Sequence, residues 1–181
     1  MAVFRKLRLS IGNYLLNRRL KKVKREKRLI GFESAKSVGV LFKTLNRNEF
    51  EEIRKFLHFL SENNSKVYAL GFVDHKKIPD FYLLSKGLNF FTRKELNIYF
   101  IPRSNSASEF IQKPLDILVD LSIDNNFPLY YLSCMSKAKL KIGKSSAKND
   151  CYDLMFDTSK NNSVAALIEH IKHYTAVLTT S

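Results

Sequence analysis

The fold of this chain is decided by residues 38–74, VGVLFKTLNRNEFEEIRKFLHFLSENNSKVYALGFVD, in which two apolar runs flank an amphipathic stretch. Residues 38–42 are continuously apolar, which is typical of a strand covered on both faces. Asn48 and Glu51 then stand in capping-box spacing, and apolar side chains recur after them at the i, i+3, i+4, i+7 positions of a helix. Residues 67–73 form a second apolar run. The stretch therefore predicts a β-α-β unit.

The same alternation continues to the C-terminal end of the chain. A second capping-box pair, Ser106 and Glu109, predicts one helix start. Two more are predicted at Asn126, which Pro128 follows, and at Ser163. Further strands are predicted at residues 81–84, 96–101, 115–122, 138–142 and 152–156. Strands that alternate with helices predict a mainly parallel sheet with helices on both faces, a Rossmann-like three-layer α/β fold. The pattern leaves the strand order open.

Composition limits the class of protein further. The chain of 181 residues is 45% apolar and 12% aromatic, which is enough for one packed domain and excludes a disordered body. Its two cysteines, Cys134 and Cys151, have apolar neighbours and no CxxC spacing, so we expect buried free thiols in a reducing cytosol. No apolar run approaches the length of a membrane span, and the N-terminal residues lack the pattern of a secretory signal.

Positive charge is concentrated at the N-terminus. Residues 1–30 hold eleven Lys or Arg against a single acid, Glu26, whereas residues 31–181 hold twenty Lys or Arg and sixteen acids. Helical apolar spacing begins at Phe4 and Leu7 and predicts one amphipathic helix over residues 3–30, or two helices with a break between them. We therefore divide the chain, as a prediction, into three segments: a basic helical arm (1–30), a linker (31–37) and a single α/β domain (38–181).

The alternative break in the arm would fall at Gly12. The apolar stripe of the first part contains Phe4, Leu7, Ile11 and Tyr14, and it is wide enough for the interface of a membrane. From residue 21 to residue 28 the chain contains a single apolar side chain. A helix there would have no apolar face to dock, so it would project from the body or lie along a charged partner.

A second basic cluster lies near the C-terminal third. Alternate spacing places Lys137, Lys139 and Lys141 on one face of a predicted half-exposed strand, and Lys144 and Lys148 follow. Two interpretations remain open. Lysine is a common protection against pairing at the edge of a sheet, and the same cations could make a secondary contact with a polyanion.

The motifs of catalysis are weak. No glycine occurs in the turn after the first strand, residues 43–48, and Ile142–Ser145, IGKS, lacks the earlier glycine of a phosphate loop. The four histidines form no metal-binding motif. Aspartates at strand ends could converge on Mg²⁺, but they are also ordinary turn residues, and we expect them to stay apart. These aspartates are Asp74, Asp120, Asp153 and Asp157.

A resemblance adds context. The segments PLDILVDLS (114–122), NNFPLYYLSCMSKAKLKIGK (125–144) and YDLMFD (152–157) are similar to those of an uncharacterised family of short Bacteroidota proteins with a basic N-terminal helix. The resemblance covers most of the chain. It carries no assigned activity and therefore adds no catalytic residue, and it implies a housekeeping protein of the cytoplasm.

These observations favour a non-enzymatic RNA-binding protein of the cytoplasm, associated with the ribosome, that contacts phosphates through its arm. Structured RNA, ribosomal RNA above all, and neighbouring ribosomal proteins are the expected partners, with no cofactor, no metal and no small-molecule substrate. A peripheral membrane adaptor is the alternative, and a Mg-dependent phosphoryl-transfer enzyme is the third. The predicted RNA-binding residues are Arg5, Lys6, Arg8, Arg18, Arg19, Lys21, Lys22, Lys24, Arg25, Lys27, Arg28, Lys137, Lys139, Lys141 and Lys144.

Overall fold

The structure, a computed structural model, describes residues 2–43, 46–63, 65–75, 82, 88–145 and 151–178. Its helices over these ranges are α1 (Ala2–Leu20), α2 (Arg47–Glu62), α3 (Asn105–Gln112), α4 (Phe127–Met135) and α5 (Val164–Val177). Its strands are β1 (Ser37–Lys43), β2 (Lys66–Val73), β3 (Leu88–Thr92), β4 (Ile117–Asp120), β5 (Leu140–Lys144) and β6 (Leu154–Phe156). The β-α-β unit of residues 38–74 is confirmed as β1, α2 and β2.

The six strands form one sheet in the order β3-β2-β1-β4-β5-β6, and every neighbouring pair is parallel. Val38 of β1, for example, pairs with Val67 on one side and with Ile117 on the other. This order is that of the doubly wound Rossmann sheet, in which β2 and β3 are added on one side of β1 and the following strands on the other side. The predicted three-layer α/β fold is confirmed.

The two faces of the sheet carry separate cores because side chains alternate along each strand. Val38, Val40 and Phe42 of β1 point into the core beneath α2 and α5. Leu41 points into the opposite core, which is covered by α3, α4 and one face of α1. Burial on both faces explains why β1 reads as a continuous apolar run rather than as an alternating one.

Two predicted helix caps are displaced by two residues. Asn46, and not Asn48, caps α2: its side chain accepts a hydrogen bond from the Glu49 backbone N–H at 3.0 Å and donates to the Glu49 carboxylate at 2.7 Å. Ser104, and not Ser106, caps α3. In α2 the true pair and the predicted pair have the same spacing, so spacing alone did not distinguish them. The caps predicted at Asn126 and Ser163 are confirmed.

The region between β2 and α3 differs from the prediction. The strand there is β3, and residues 96–101 form a turn instead of a strand. The Asn97 side chain accepts hydrogen bonds from the backbone N–H groups of Tyr99, at 2.8 Å, and Ile101, at 3.0 Å, which folds the segment back on itself. The strand predicted at 81–84 lies, apart from Tyr82, outside the described residues.

The arm is not a separate helix over residues 3–30. Helix α1 passes through Gly12 without a break and ends at Leu20, and residues 23–30 are irregular. Leu16 is 1% exposed and Ile30 is 8% exposed, so the arm packs onto the body at both of these points. The predicted linker also enters the core, through Phe32. The prediction that residues 21–28 would project from the body or lie along a charged partner rested on charge counts, which carry no information on these few apolar anchors.

Candidate nucleic-acid interface

Helix α1 docks along α4 and the turn at residues 97–101 through a narrow face. Gly12 is buried there, and a Cβ atom at this position would lie 2.5 Å from the backbone oxygen of Tyr99. Only glycine permits this approach of helix and turn. Leu16 then packs into the core beneath α3 and α4. The docked face of α1 is therefore defined by Gly12, which has no side chain, and by the buried Leu16.

Two arginines of α1 lie beside this face and contact the body. Arg8 donates to the backbone oxygen of Ile98, and its guanidinium lies 4.9 Å from the centre of the Phe100 ring. Arg19 donates to the Tyr131 hydroxyl. Phe100 has a φ of 63°, which is uncommon for a residue with a large side chain, so the turn that receives α1 is held in a strained conformation. These contacts use cations that the sequence assigned to RNA.

Arg25 fixes the irregular part of the arm. Its guanidinium donates to both oxygens of Asp153, at 2.8 and 2.6 Å, and also to the backbone oxygens of Ala138 and Lys139. Both side chains of the pair are nearly buried, 10% and 12% exposed. Such a bidentate, largely desolvated pair has a defined geometry that an exposed pair lacks.

The ionisation of Asp153 reflects this contact. Burial by itself would raise the pKa of the carboxyl group, but the hydrogen bonds from Arg25 and from the Lys141 backbone N–H, together with the Arg25 charge, outweigh burial. The pKa of Asp153 therefore lies below its ordinary value. Lys27 also pairs with this carboxylate, at 3.2 Å, from a side chain that is mostly exposed.

The seven remaining cations of the arm are exposed and form no ion pair with any residue of the described ranges. These cations are Arg5, Lys6, Arg18, Lys21, Lys22, Lys24 and Arg28. The first turn of α1 contains no acid that could compensate them. Because the arm is attached to the body, its cations are presented along a fixed path and not on a free tail.

The second basic cluster is not a surface patch. Strand β5 lies between β4 and β6, so the interpretation as edge protection is wrong. Lys141 is 2% exposed and donates to the backbone oxygen of Cys134 at 3.0 Å, which removes it from the predicted RNA contacts. Lys139 pairs with Asp116 at 2.9 Å. Lys137 is exposed, and Lys148 lies outside the described residues.

Lys144 has local partners at the end of β5. Its ammonium donates to the backbone oxygen of Ile123 at 2.9 Å and to the side-chain oxygen of Asn162 at 2.6 Å. Of the cations predicted to bind RNA, the seven exposed ones of the arm and Lys137 therefore remain available for a polyanion. The sequence alone did not distinguish them from the cations that contact the body.

An apolar stripe of α1 faces away from the body. Phe4 is 74% exposed and Leu7 is 57% exposed, and Val3 and Tyr14 are also exposed. Apolar side chains of this size on neighbouring turns of one helix are uncommon without a partner that covers them. The predicted stripe is thus present, but the docked face of α1 is a different one.

The strand-end aspartates have separate partners. Asp120 is buried and accepts hydrogen bonds from the Tyr152 hydroxyl at 2.6 Å and the Ser133 hydroxyl at 3.0 Å. Burial, followed by the charge of Asp120, raises the pKa of Tyr152. Asp74 pairs instead with Arg93. Over the described ranges, no group of three His, Cys, Asp or Glu side chains is placed to hold a metal ion.

A cavity of about 220 Å³ lies between the arm and the body. Leu20, Val23 and Arg25 line it from the arm, and Cys134 and Lys141 line it from the body. The pKa of Lys141 is lowered to about 8, and burial is the largest cause of this shift. The sequence indicated buried cysteines, but it contained no signal that placed them beside a buried amine.

Fold and interface together define an α/β protein with the Rossmann strand order and a docked cationic N-terminal arm. The chain belongs to a family of unknown function, DUF6913, whose model matches residues 8–178. This match confirms membership of an uncharacterised family, and it includes most of the arm. No curated protein matches the chain.

One solved structure with a similar fold is E. coli heptosyltransferase WaaC with ADP-2-deoxy-2-fluoro heptose. The identity is 11% and the TM-score is 0.45, and the match covers 76% of this chain and 48% of that one. The chain thus spans about half the length of the transferase. Likeness at this level carries no argument about activity. Among the helices of the described ranges, none has the length and apolar character needed to cross a bilayer.

Proposed function

We propose that this protein is a non-enzymatic RNA-binding protein of the cytoplasm, associated with the ribosome, and that its arm contacts RNA phosphates. One observation carries the proposal: seven exposed cations between residues 5 and 28 form no ion pair with a described residue. Each cation placed beside a phosphate releases a condensed counterion, so a row of them binds RNA without reading its bases.

The way in which the arm is attached supports an extended, structured partner. Arg25 and Leu16 hold the arm to the body, so the backbone of the arm loses little conformational freedom when its exposed cations bind. A fixed row of charges recognises the path of a phosphate backbone better than a mobile tail does. Lys137 is exposed next to the position where the Arg28 backbone N–H bonds to the Lys139 oxygen, and it extends the same basic region.

The experiment measures cosedimentation with purified ribosomes at several salt concentrations. In the test variant Arg18, Lys21, Lys22 and Lys24 are replaced by Gln. In the matched control four cations of α2 and of the neighbouring α5, Arg47, Arg54, Lys55 and Lys172, are replaced by Gln. Both variants change the net charge equally, but α2 and α5 lie on the opposite face of the sheet from α1.

We expect the arm variant to lose most of its binding and the control variant to retain it. The slope of log K against log salt should become shallower by about 3, since each phosphate contact contributes roughly 0.7–0.9. Equal losses in the two variants would reduce the effect to net charge and contradict a defined interface. Binding that is independent of salt would also contradict the proposal.

The apolar stripe of α1 favours a second candidate, a peripheral membrane adaptor. An anionic bilayer can cover exposed Phe4 and Leu7 while its headgroups attract the neighbouring cations. RNA phosphates cannot cover these side chains, so on the RNA proposal a protein neighbour has to do so. We rank RNA first because residues 21–28, which carry the densest charge, have almost no apolar surface to insert into a bilayer.

The double variant Phe4→Ser, Leu7→Ser separates the two candidates. Anionic liposomes and ribosomes are each sedimented with the protein at about 0.15 M salt. The RNA proposal expects retention on ribosomes that is sensitive to RNase and little retention on liposomes. Retention on liposomes alone that is lost in the double variant would contradict the RNA proposal and identify the membrane as the partner.

A further inference from the structure

The fold brings the two cysteines of the chain together although sixteen residues separate them in the sequence. Cys134 lies near the C-terminal end of α4, and Cys151 lies shortly before β6. Both side chains line the cavity of about 220 Å³ between the arm and the body, and Cys134 lies close enough to raise the pKa of Cys151. Cys134 is buried, whereas Cys151 is half-buried. This contact is a tertiary one that no local motif encodes.

The surroundings of the pair favour a thiolate on one of the two sulfurs. Lys141 and Arg25 line the same cavity, and the Lys141 ammonium is held beside the sulfur pair by its bond to the Cys134 backbone oxygen, at 3.0 Å. Cations next to a cysteine stabilise its ionised form. In contrast, the hydrogen bond with Cys134, followed by burial, raises the pKa of Cys151.

A thiolate on one sulfur beside a thiol on the other is the arrangement that an attacking and a resolving cysteine need. A cavity of this size admits a small oxidant such as hydrogen peroxide, whose two oxygens occupy far less than 220 Å³.

We propose that Cys134 and Cys151 are a peroxide-reactive dithiol that closes to an intramolecular disulfide beneath the arm. The thiolate of one cysteine attacks one peroxide oxygen and the O–O bond breaks. The second oxygen leaves as hydroxide and takes up a proton to become water, and that cysteine becomes a sulfenic acid. The sulfur of the other cysteine then attacks the sulfenic sulfur, the S–O bond breaks, and the oxygen leaves with the proton of the second thiol as a second water.

Overall, two thiols lose two electrons and two protons, and one peroxide is reduced to two waters. A dithiol reductant reverses the change by thiol–disulfide exchange. The bridge would join α4 to the segment before β6 at the place where Leu20, Val23 and Arg25 of the arm rest. The proposal does not depend on whether the arm binds RNA.

The test uses the full-length chain and intact-mass spectrometry. The reduced protein is treated with a small excess of hydrogen peroxide, denatured in the presence of N-ethylmaleimide, and weighed. We expect a loss of two hydrogens and no maleimide adduct, a digest that contains a peptide linking Cys134 to Cys151, and recovery of two adducts after dithiothreitol. Because the chain contains only two cysteines, the linkage is unambiguous.

The variants Cys151→Ser and Cys134→Ser identify the roles of the two sulfurs. The variant that retains the attacking cysteine should accumulate a sulfenic acid that dimedone traps, whereas the other variant should be labelled several-fold less. The measurement on the unsubstituted chain needs neither variant to fold. Two maleimide adducts after peroxide treatment, disulfides between chains only, or direct conversion to sulfinic acid would overturn the proposal.

Discussion

The two parts of the arm, residues 1–20 and 21–30, carry the same net charge but are attached to the body by different means. Helix α1 is attached mainly through its shape, because Gly12 allows close approach and Leu16 fills a core position. The stretch 21–30 is attached mainly through the ion pair of Arg25 with Asp153 and through Ile30. In both parts a few side chains dock and the others remain in solvent. Binding of the arm to the body and binding of a partner by the arm are thus assigned to different residues.

The largest expected effect tests the docked face of α1 against its exposed stripe. Leu16→Ala should lower the free energy of unfolding by about 3 kcal/mol, since a buried leucine is replaced by a cavity. Leu7→Ala removes the same atoms from an exposed position and should change it by no more than about 0.5 kcal/mol. Urea denaturation of both variants measures the difference. Equal effects would mean that α1 docks through the stripe and that the comparison is wrong.

The second test concerns the charges of residues 21–30. Arg25→Gln should cost about 3 kcal/mol, because it leaves the largely buried Asp153 carboxylate with only Lys27 and backbone donors. Lys24→Gln, at an exposed and unpaired position, should be neutral within about 0.5 kcal/mol. Lowering the pH should reduce the gap between the two variants, because the pKa of Asp153 is depressed in the folded state. The stability that this group contributes is present above its unfolded pKa and is lost as the pH falls through the folded value.

The third test uses the buried amine beneath the arm. The pKa of Lys141 is about 8, below its ordinary value, so the folded state binds fewer protons than the unfolded state between these two values. Stability should therefore rise with pH across that window by about 2 to 3 kcal/mol, at roughly 1.4 kcal/mol per pKa unit. Lys141→Met lacks this rise. Denaturation of both proteins at pH 7 and at pH 10 isolates the contribution, and parallel curves would show that the amine is solvated.

The smallest expected effect is on the free energy of unfolding of a Gly12 variant, and its sign should be opposite to the usual one. Replacing glycine by alanine inside a helix usually stabilises it, by about 0.5–1 kcal/mol. Gly12→Ala should instead destabilise the protein by about 1–2 kcal/mol, because the new Cβ meets the Tyr99 backbone oxygen. Ser10→Ala, two residues earlier and exposed, is the matched control and should be neutral or slightly stabilising. A stabilising Gly12→Ala, measured as a higher Tm, would show that α1 does not approach the turn closely.

Much of the body could be predicted because its signals are local. The apolar run of β1 and the caps at Asn126 and Ser163 depend on neighbours within a few residues of the chain. The caps of α2 and α3 were displaced because polar residues repeat near both helix starts and local spacing does not choose among them. Residues 96–101 were predicted as a strand since the sequence did not show that the Asn97 side chain would close a turn.

The candidate interface could be predicted less completely, for a reason that Lys141 and Arg25 illustrate. Counting cations locates the basic arm, but it treats every lysine and arginine as a surface charge. Arg25 is engaged because Asp153, far away in the sequence, lies next to it in the fold. Lys141 is buried because α4 and the arm cover its face of β5. Alternation along one strand cannot reveal what packs on its faces or whether the strand is at an edge.

By itself the sequence determined the α/β class, the helical start of the arm and the excess of positive charge at the N-terminus. These properties follow from the spacing and the type of residues along the chain. Only the tertiary structure decided the strand order, the docking of the arm and the contact between Cys134 and Cys151. Each of these depends on which distant segments pack together, and that is set by the burial of apolar surface over the whole domain and not by any local pattern.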